Sequence, residues 1–311
     1  MQILITGGTG LIGKQLCKAL LAEGHELTVL SRNPASVPAK CGAGVHAMAA
    51  LGEWLPDKTF DAVINLAGEP IVDAPWTKRR KQILWDSRIT LTQELVRHIA
   101  SAKRKPAVLL SGSAVGYYGN RGDEEMFEAA EAGTDFPARL CKGWEDAARA
   151  AEQSGVRVCL LRTGLILSNK GGMLGKMLLP FKLGMGARLG DGKQWMSWVH
   201  IDDYVAMALR LLHDSFASGD QASLARASGP YNMTAPQPAT NAQFTAALAK
   251  ALHRPALFAA PAPLLKLAMG ERACLLLEGQ KALPGKMTAA GYRFQFARLD
   301  DALGNLFGKS L

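Results

Sequence analysis

The chain contains 311 residues, of which 48% are hydrophobic and 20% are charged, a composition typical of soluble globular proteins. This length is sufficient for one large α/β domain and a smaller appendage. No apolar run reaches the roughly 18–20 residues that a membrane span requires. The first residues enter a glycine-rich loop directly, without the pattern of a signal peptide. We therefore expect a cytoplasmic protein that does not associate with membranes.

Basic residues outnumber acidic ones, with 36 Lys and Arg against 27 Asp and Glu and a net charge of +9. The densest basic run, Lys78-Arg79-Arg80-Lys81, lies in a segment with helical spacing, so a solvated helix face is the simplest interpretation. No nucleic-acid-binding signature accompanies it, and we expect no nucleic-acid partner. The positive field suits an anionic small ligand. The five cysteines are widely spaced, which predicts reduced thiols and no bound metal.

The first half of the chain alternates between strand-like and helix-like segments. In chain order these are a strand at 2–6, a helix at 11–22, strands at 26–30 and 61–66, a helix at 89–100, a strand at 107–111, a helix at 138–153 and a strand at 157–162. The strands are almost continuously apolar, which is typical of parallel strands covered on both faces. The pattern predicts an α/β fold with a doubly wound parallel sheet of the Rossmann type.

The pattern loosens after residue 165. Residues 168–198 are rich in Gly, Met and Lys, which suits a segment lying over the sheet on the substrate side. Further predicted elements are a helix at 202–213 with Asp202 as its N-cap, a strand at 230–233, a helix at 242–252, and apolar helical segments at 264–269, 272–277 and 291–296. We therefore divide the chain into a core at 1–165, a substrate-side segment with the remaining core elements at 166–255, and a small C-terminal module at 256–311.

The strongest motif is the glycine loop Thr6-Gly7-Gly8-Thr9-Gly10-Leu11-Ile12-Gly13, which follows the first strand and opens the first helix. Such a loop needs one glycine for a sharp turn, a second for close approach of the backbone to a pyrophosphate, and a third for tight packing of helix on strand. Gly7, Gly10 and Gly13 have this spacing. The helix N-terminus then faces the phosphates, so the loop predicts a dinucleotide site that includes Thr9, Leu11 and Ile12.

The second strand ends at Ser31-Arg32, where a protein that prefers NAD usually places an acidic residue for the ribose 2′-hydroxyl. A guanidinium at this position, with a hydroxyl beside it, suits a 2′-phosphate. We therefore predict NADP(H) as the cofactor of the core.

Several motifs in order resemble a known family: TGGTGLIG, NLAGEPI from Asn65, SGSAVGYYG from Ser111, LLRTGLILS from Leu160, SWVHIDD from Ser197 and LPGKMTAAGYRFQF from Leu283. Together they are similar to the extended short-chain dehydrogenases/reductases, and more closely to the bacterial "epimerase family protein" group, which has its own small C-terminal domain. The resemblance covers essentially the whole chain.

The resemblance implies roles for residues at the ends of three strands. It implies that Ser113 is the active-site hydroxyl. It also implies a cofactor lining at Asn65, Leu66, Ala67, Gly68, Ser111, Arg162, Thr163 and Gly164. These positions agree with the rule that doubly wound sheets bind ligands at the carboxyl ends of their strands.

One departure from the family pattern concerns the proton donor. The family pairs a tyrosine with a lysine four residues later on one helix face, where the ammonium lowers the phenol pKa and contacts the nicotinamide ribose. Here the nearby lysine is Lys142, and Ala138 lies four residues before it. In a register shifted by one residue the pair becomes Pro137 and Cys141. In neither register is there a tyrosine.

Three explanations follow. Tyr117 or Tyr118 supplies the phenol from another direction, or His200 or Asp202 acts as the acid, although these two also suit a helix cap. Alternatively, the protein performs no hydride transfer and binds NADP(H) as a sensor or scaffold that acts through a protein partner. Lys142 either reaches the ribose or faces solvent.

For the enzyme we expect an NADP-dependent epimerase or reductase, monomeric or homodimeric, that acts on a small polar substrate such as a nucleotide-sugar. Arg188, Lys193 and Gln194 are candidates for recognising an anionic or sugar-nucleotide group. A set of methionines and tryptophans either lines a pocket or fills the core. These are Met173, Met177, Met185, Met196, Trp76, Trp195 and Trp198.

Overall fold

The fold is built on one parallel sheet of seven strands, as seen in a computed structural model that describes residues 1–217 and 227–308. The strands are β1 (Gln2–Thr6), β2 (Glu26–Leu30), β3 (His46–Met48), β4 (Ala62–Asn65), β5 (Val108–Ala114), β6 (Arg157–Thr163) and β7 (Gly229–Met233). Their order across the sheet is β3-β2-β1-β4-β5-β6-β7, and every neighbouring pair is parallel. This arrangement confirms the predicted α/β Rossmann-type fold.

The helices connect these strands and extend the chain beyond them. They are α1 (Leu11–Ala22), α2 (Val37–Cys41), α3 (Lys78–Trp85), α4 (Leu91–Ser101), α5 (Phe136–Arg149), α6 (Gly172–Lys182), α7 (Ile201–Ala217), α8 (Asn241–Ala251), α9 (Ala262–Met269), α10 (Cys274–Leu277), α11 (Gly285–Ala289) and α12 (Leu299–Phe307). No helix within the described ranges combines the length and apolar character needed to cross a bilayer.

The apolar strands are explained by burial on both faces of the sheet. In β1, Ile3 and Ile5 belong to one core cluster, whereas Leu4 between them belongs to another on the opposite face. Because successive strand side chains point to opposite faces, a strand between two helical layers has to be apolar throughout. Helices α1 and α7 cover the first face, and α4 and α5 contribute to the second.

Four pairs of short strands lie outside the main sheet. They join Leu165–Leu167 to Trp198–His200, Ala187–Leu189 to Phe258–Ala260, Trp195–Met196 to Ala239–Thr240, and Glu125–Met126 to Lys281–Ala282. Two of these pairs connect residues after position 256 to earlier segments of the chain. The C-terminal residues therefore pack beside the cleft at the carboxyl edge of the sheet.

Two local predictions are wrong. Residues 291–296, expected to be helical, form irregular chain between α11 and α12, because their backbone is held from outside. The buried carboxylate of Asp203 accepts hydrogen bonds from the Gln295 and Phe296 N–H groups at 2.9 and 2.8 Å. Asp202 is not an N-cap, since α7 begins at Ile201 and the Asp202 N–H donates to His200 Nδ1 at 3.2 Å.

Candidate active site

The glycine loop forms a tight backbone cradle after β1. Gly7 has φ +70°, and a Cβ atom there would lie 2.6 Å from the carbonyl carbon and oxygen of Leu66. A Cβ atom on Gly13 would lie 2.3 Å from the carbonyl oxygen of Gly7. Both distances are far below van der Waals contact, so the turn and the helix–strand packing each require glycine.

The start of α1 offers unpartnered donors to the cleft. Gly10 occupies the N-cap position without a side-chain cap, and no acidic residue lies in the first turn. The free N–H groups of a helix N-terminus carry a partial positive charge that suits a phosphate. The residues present therefore fit the pyrophosphate of a dinucleotide.

A cleft of about 550 Å³ extends from this loop along the carboxyl edge of the sheet. We call it the cofactor cleft. Nine of the residues expected from the sequence line it, namely Gly7, Gly10, Leu11, Ile12, Gly13, Leu66, Ser113, Thr163 and Gly164. The other site residues expected from the sequence do not belong to this lining. The glycine loop and Ser113 thus face one continuous space.

Asn65 and Ser111 lie beneath the cleft rather than in its lining. Asn65 is fully buried, accepts a hydrogen bond from Thr6 Oγ1 at 2.7 Å, and donates to Ser111 Oγ at 3.2 Å. Thr6 Oγ1 in turn accepts a hydrogen bond from the Ala67 N–H at 3.2 Å. These bonds join the ends of β1, β4 and β5. Their role in this structure is to fix the strand ends, which differs from the cofactor contacts expected of Asn65, Ala67 and Ser111.

Arg32 lies at the end of β2 with 93% of its side chain exposed. Its guanidinium donates to Glu69 Oε1 at 2.5 Å, and Glu69 also lies 3.6 Å from Arg80. Ser31 Oγ donates to the Asn33 carbonyl oxygen and shapes the local turn. Arg32 is accessible to an anion outside the sheet, and Glu69 keeps a second cationic partner if Arg32 moves.

Ser113 is held by a buried ion pair. Its Oγ donates to Glu145 Oε1 at 2.7 Å, and Arg162 binds both carboxylate oxygens of Glu145 at 2.8 and 2.9 Å. Both Glu145 and Arg162 are only 2% exposed. Although burial lowers the pKa of Arg162, its hydrogen bonds to Glu145 hold that pKa above the usual value. Arg162 therefore supports Ser113 from behind and does not line the cleft, contrary to the expectation of a cofactor contact.

Neither tyrosine of the predicted pair reaches the cleft lining. Tyr118 is fully buried, donates to Asn232 Oδ1 at 2.7 Å and accepts from Arg162 at 2.9 Å. Burial raises the pKa of Tyr118 to about 12. Tyr117 lies against the Arg162 guanidinium, whose carbon is 3.5 Å from the ring centroid. The structure thus contradicts Tyr118 as the proton donor, because its hydroxyl is used inside the fold, and it places Tyr117 in packing.

Helix α5 presents its Pro137–Cys141 register to the cleft. Pro137 and Cys141 both line it, whereas Ala138 is buried outside the lining and Lys142 is exposed. Lys142 Nζ donates to Asp146 Oδ2 at 2.7 Å on the solvent side. Of the two alternatives for Lys142, the structure has the one in which the side chain faces solvent, since one residue along a helix rotates the side chain by about 100°.

His200 also lies outside the cleft lining. It is 1% exposed, and its ring centroid lies 4.0 Å from that of Phe296. Burial lowers the pKa of His200, although Asp202 and Asp203 oppose the shift. This geometry assigns His200 to the packing of the C-terminal segment, and Asp202 is exposed on α7.

Three charged residues in the lining were missed by the sequence analysis, namely Arg88, Asp135 and Glu278. Arg88 lies above the Trp144 ring at 5.3 Å and donates to the Glu69 carbonyl oxygen at 2.9 Å. Arg88 lies in a π-helical turn at Asp86–Thr90, which the sequence pattern did not predict. Glu278 enters the cleft from just after α10. Burial, followed by the charge of Asp135, raises the pKa of Glu278 above its usual range.

A second cavity of about 380 Å³ adjoins the cofactor cleft and shares part of its lining, including Val115, Met173 and Glu278. We call it the methionine cavity, because Met173, Met177, Met185 and Met196 all line it together with Phe181 and Trp195. The methionines therefore line a pocket. Trp76 and Trp198 are buried in the core instead.

Of the polar candidates for substrate recognition, Gln194 lines the methionine cavity. Arg188 and Lys193 are exposed outside the linings of both cavities. Neither Arg188 nor Lys193 is therefore positioned to bind an anion inside the cofactor cleft or the methionine cavity.

Two family models match this chain. The model of the NAD dependent epimerase/dehydratase family matches residues 3–225, and that of a domain of unknown function, DUF1731, matches residues 260–306. The chain belongs to the NAD dependent epimerase/dehydratase family. Its resemblance to the extended short-chain dehydrogenases/reductases and to the epimerase family proteins is confirmed.

Individual relatives support the same assignment. The epimerase family protein Mb2239 of Mycobacterium bovis is 43% identical, over 97% of this chain and 96% of the relative. The crystal structure of human epimerase family protein SDR39U1 (isoform 2) with NADPH has a TM-score of 0.87 and 33% identity, covering 99% of this chain and 100% of that one. The nucleoside-diphosphate sugar epimerase from Corynebacterium glutamicum has a TM-score of 0.73 and 30% identity, covering 99% of this chain and 58% of that one.

Proposed function

We propose that this protein is an NADP(H)-dependent oxidoreductase that interconverts a carbonyl and a hydroxyl group on a small substrate. The observation that carries the proposal is the single cleft that joins the glycine cradle to Ser113 and opens into a second cavity. A human relative has been crystallised with NADPH, which supports this choice of cofactor. When bound, the nicotinamide ring donates a hydride to a carbonyl carbon or accepts one from a carbinol carbon.

The cofactor would be held by groups at two points. The N-terminus of α1 and the Gly7 and Gly10 backbone would bind the pyrophosphate, and Arg32 would bind the adenosine 2′-phosphate. Thr163 and Gly164 line the opposite end of the cleft, beside Ser113. The substrate would then lie between the ends of β5 and β6 and the methionine cavity.

Ser113 would orient the reacting oxygen of the substrate. An ionised carboxylate only accepts hydrogen bonds, so Ser113 must donate its hydrogen to Glu145. Its lone pairs are then free to accept a hydrogen bond from a substrate hydroxyl. A substrate carbonyl would instead take this hydrogen in place of Glu145, which keeps both of its hydrogen bonds to Arg162. Because Arg162 binds both oxygens of Glu145, the carboxylate is held in one place and serves to position Ser113.

The proton donor that the cleft offers is Glu278. It lies at the junction of the two cavities, and its raised pKa favours the protonated form that a general acid needs. Other acidic groups in the lining are engaged or weakly acidic. Asp135 accepts a hydrogen bond from the Ala138 N–H at 2.7 Å, and burial raises the pKa of Cys141 to about 12.

The test is hydride transfer measured by NADPH absorbance with a panel of carbonyl compounds and sugar nucleotides. We expect Ser113→Ala to lower kcat/KM by about 10²–10³-fold with unchanged NADPH affinity. For carbonyl reduction, kcat/KM should fall as pH rises through the pKa of Glu278, and Glu278→Gln should remove this limb. Turnover that is indifferent to both substitutions contradicts the assigned roles.

A second candidate is a binding protein that senses NADP(H) without hydride transfer and acts through a protein partner. It is favoured by one observation, the presence of Pro137 and Cys141 at the cleft face where the family pattern has its tyrosine and lysine. Tight NADPH binding without turnover on any compound of the panel would support this candidate over the enzyme.

The names of several relatives suggest a sugar nucleotide as substrate and epimerisation as the reaction. The Corynebacterium glutamicum protein is described as a nucleoside-diphosphate sugar epimerase. The UDP-glucose 4-epimerase of Thermotoga maritima shares only 15% identity at a TM-score of 0.76, which supports the fold alone. Sugar nucleotides therefore belong in the panel.

A further inference from the structure

The methionine cavity is the apolar space that adjoins the cofactor cleft. It continues directly from the Ser113 end of the cofactor cleft, because both spaces share Val115 and Leu165 next to the ends of β5 and β6. The chemistry of its walls therefore limits the class of substrate, provided that the function proposed above holds.

Most polar side chains in the walls are already hydrogen-bonded within the protein. Gln194 Nε2 donates to the carbonyl oxygens of Leu189 and Leu276 at 3.1 and 2.7 Å. Ser197 Oγ donates to the Gln280 carbonyl oxygen at 2.6 Å and accepts from the Ala282 N–H at 2.8 Å. A ligand group that needed these atoms would have to break existing bonds.

Asn241 is engaged in the same way. Its Oδ1 accepts from the Leu189 N–H at 2.8 Å, and its Nδ2 lies 3.5 Å from the sulfur of Met196. The polar atoms of the wall thus shape the cavity and present few free donors to a ligand.

The charges of the wall disfavour an anionic ligand. Lys176 is the only cation that the described part of the chain contributes to this lining, and it is paired with Asp73 at 2.5 Å. The other ionisable side chain of this lining, Glu278, supplies no positive charge in either protonation state. The pyrophosphate of a nucleoside-diphosphate sugar carries two negative charges, which proteins usually bind with arginine, lysine or a helix N-terminus.

Exposed apolar side chains lie on the same segment of chain that lines the cavity. Met185 in the lining is 55% exposed, and Leu179 and Leu183, on and directly after α6, are 66% and 62% exposed. Methionine side chains are flexible and polarizable, and they adapt to apolar ligands of differing shape. A concave pocket lined mainly by apolar side chains is typical of a site for an apolar molecule.

We propose that the methionine cavity binds an uncharged and mainly apolar substrate, whose single carbonyl or hydroxyl group reaches Ser113, and that it does not bind a nucleoside diphosphate. The apolar part of the substrate packs against the four methionines, Phe181 and Trp195. Affinity then comes from burial of apolar surface, and position comes from the hydroxyl of Ser113.

The experiment uses the full chain and the uncharged fluorescent probe N-phenylnaphthylamine, whose emission rises in apolar surroundings. We expect saturable binding, displacement by the aromatic ketone benzylacetone, and no displacement by UDP-glucose at the same concentration. Displacement of the probe by UDP-glucose, or the absence of saturable probe binding to folded protein, overturns the proposal.

Variants locate the bound probe. Met177→Gln and Met196→Gln keep side-chain length but add a polar amide, and each should raise the Kd of the probe about tenfold. Met177→Leu should retain binding, and the matched control is Leu267→Gln on α9, where Leu267 is 85% exposed. Circular dichroism and thermal melting identify any variant that fails to fold. Equal affinity in the Met177→Gln and Met196→Gln variants and in the control rules out this cavity as the site.

This test can fail independently of the proposed function. Probe binding needs no cofactor, whereas the oxidoreductase proposal fails if NADPH neither binds nor transfers a hydride. Turnover of UDP-sugars by protein that binds NADPH normally would retain the oxidoreductase and reject the apolar substrate class.

Discussion

At the scale of single residues, the buried pair of Arg162 and Glu145 is the most consequential contact beneath the cleft. Each side chain is 2% exposed, and the guanidinium binds the carboxylate through two hydrogen bonds. A charge buried without a partner is strongly destabilising, whereas an intact pair offsets much of its desolvation cost. The same carboxylate fixes the rotamer of Ser113, so the pair links stability to the geometry of the site.

We therefore expect Glu145→Gln to destabilise the fold by about 3–5 kcal/mol, because it leaves the Arg162 charge uncompensated. The measurement is urea unfolding followed by circular dichroism. Asp146→Asn is the matched control, since Asp146 is 56% exposed and pairs only with Lys142. The control should change the free energy of unfolding by less than about 1 kcal/mol. Equal stability of the two variants would show that the buried pair is not structurally important.

Arg32 is the residue on which we expect the choice between NADPH and NADH to depend. Arg32→Ala should weaken NADPH binding by about 10–100-fold and leave NADH binding almost unchanged, because only NADPH carries the 2′-phosphate. Calorimetric titration of both cofactors measures the ratio of their dissociation constants. Arg79→Ala is the control, since Arg79 is an exposed arginine on α3. A ratio that Arg32→Ala leaves unchanged would refute the NADP(H) preference.

At the scale of elements, the start of α7 holds the C-terminal segment against the sheet. Asp203, 1% exposed, binds the backbone of Gln295 and Phe296, and the neighbouring His200 ring packs on Phe296. The irregular chain before α12 thus obtains its backbone hydrogen bonds from a side chain of another element. This is why its apolar residues did not form the predicted helix.

Burial of His200 predicts a pH dependence of stability. Its folded-state pKa lies below the unfolded value of 6.5 because burial disfavours the charged ring. The unfolded chain therefore takes up a proton first as pH falls, and the contribution of neutral His200 is present above 6.5 and is lost below it. We expect the free energy of unfolding to decrease between about pH 7 and about pH 5.

Urea unfolding across this pH range measures the effect. His200→Gln should reduce the slope, whereas His46→Gln should retain it, since His46 is exposed. Identical slopes in wild type and His200→Gln would show that other groups cause the acid sensitivity.

At the scale of the whole molecule, the features that sequence reasoning predicted are those set by local chemistry. Gly7 and Gly13 were identifiable because the exclusion of a Cβ atom acts within one short loop. The orientation of Lys142 could not be predicted, because a shift of one residue along α5 decides whether a side chain faces the cleft or solvent. Arg162 looked like a ligand contact, since nothing in the pattern revealed its pairing with Glu145. Glu278 reaches the cleft only through the packing of distant segments.

The C-terminal residues are integrated into this whole. Met287 belongs to the main core on one face of the sheet, with Tyr292 and Phe294 packed against it, and α12 packs on α8 through Ala302 and Leu303. The module predicted at 256–311 thus shares its core with the rest of the chain. Shared cores usually unfold together.

We therefore expect the protein to unfold in one cooperative transition, and a chain ending at residue 255 to lose both its stable fold and its NADPH affinity. Removal of the module exposes the apolar surface that Met287 and Phe296 cover, and it deletes Glu278 from the cleft. Scanning calorimetry with comparison of the calorimetric and van't Hoff enthalpies tests cooperativity, and fluorescence titration with NADPH tests the shortened chain. Two separate transitions, or a shortened chain that melts sharply and binds NADPH normally, would show that the module is an independent domain, since only an autonomous core can lose its neighbour without losing its own order.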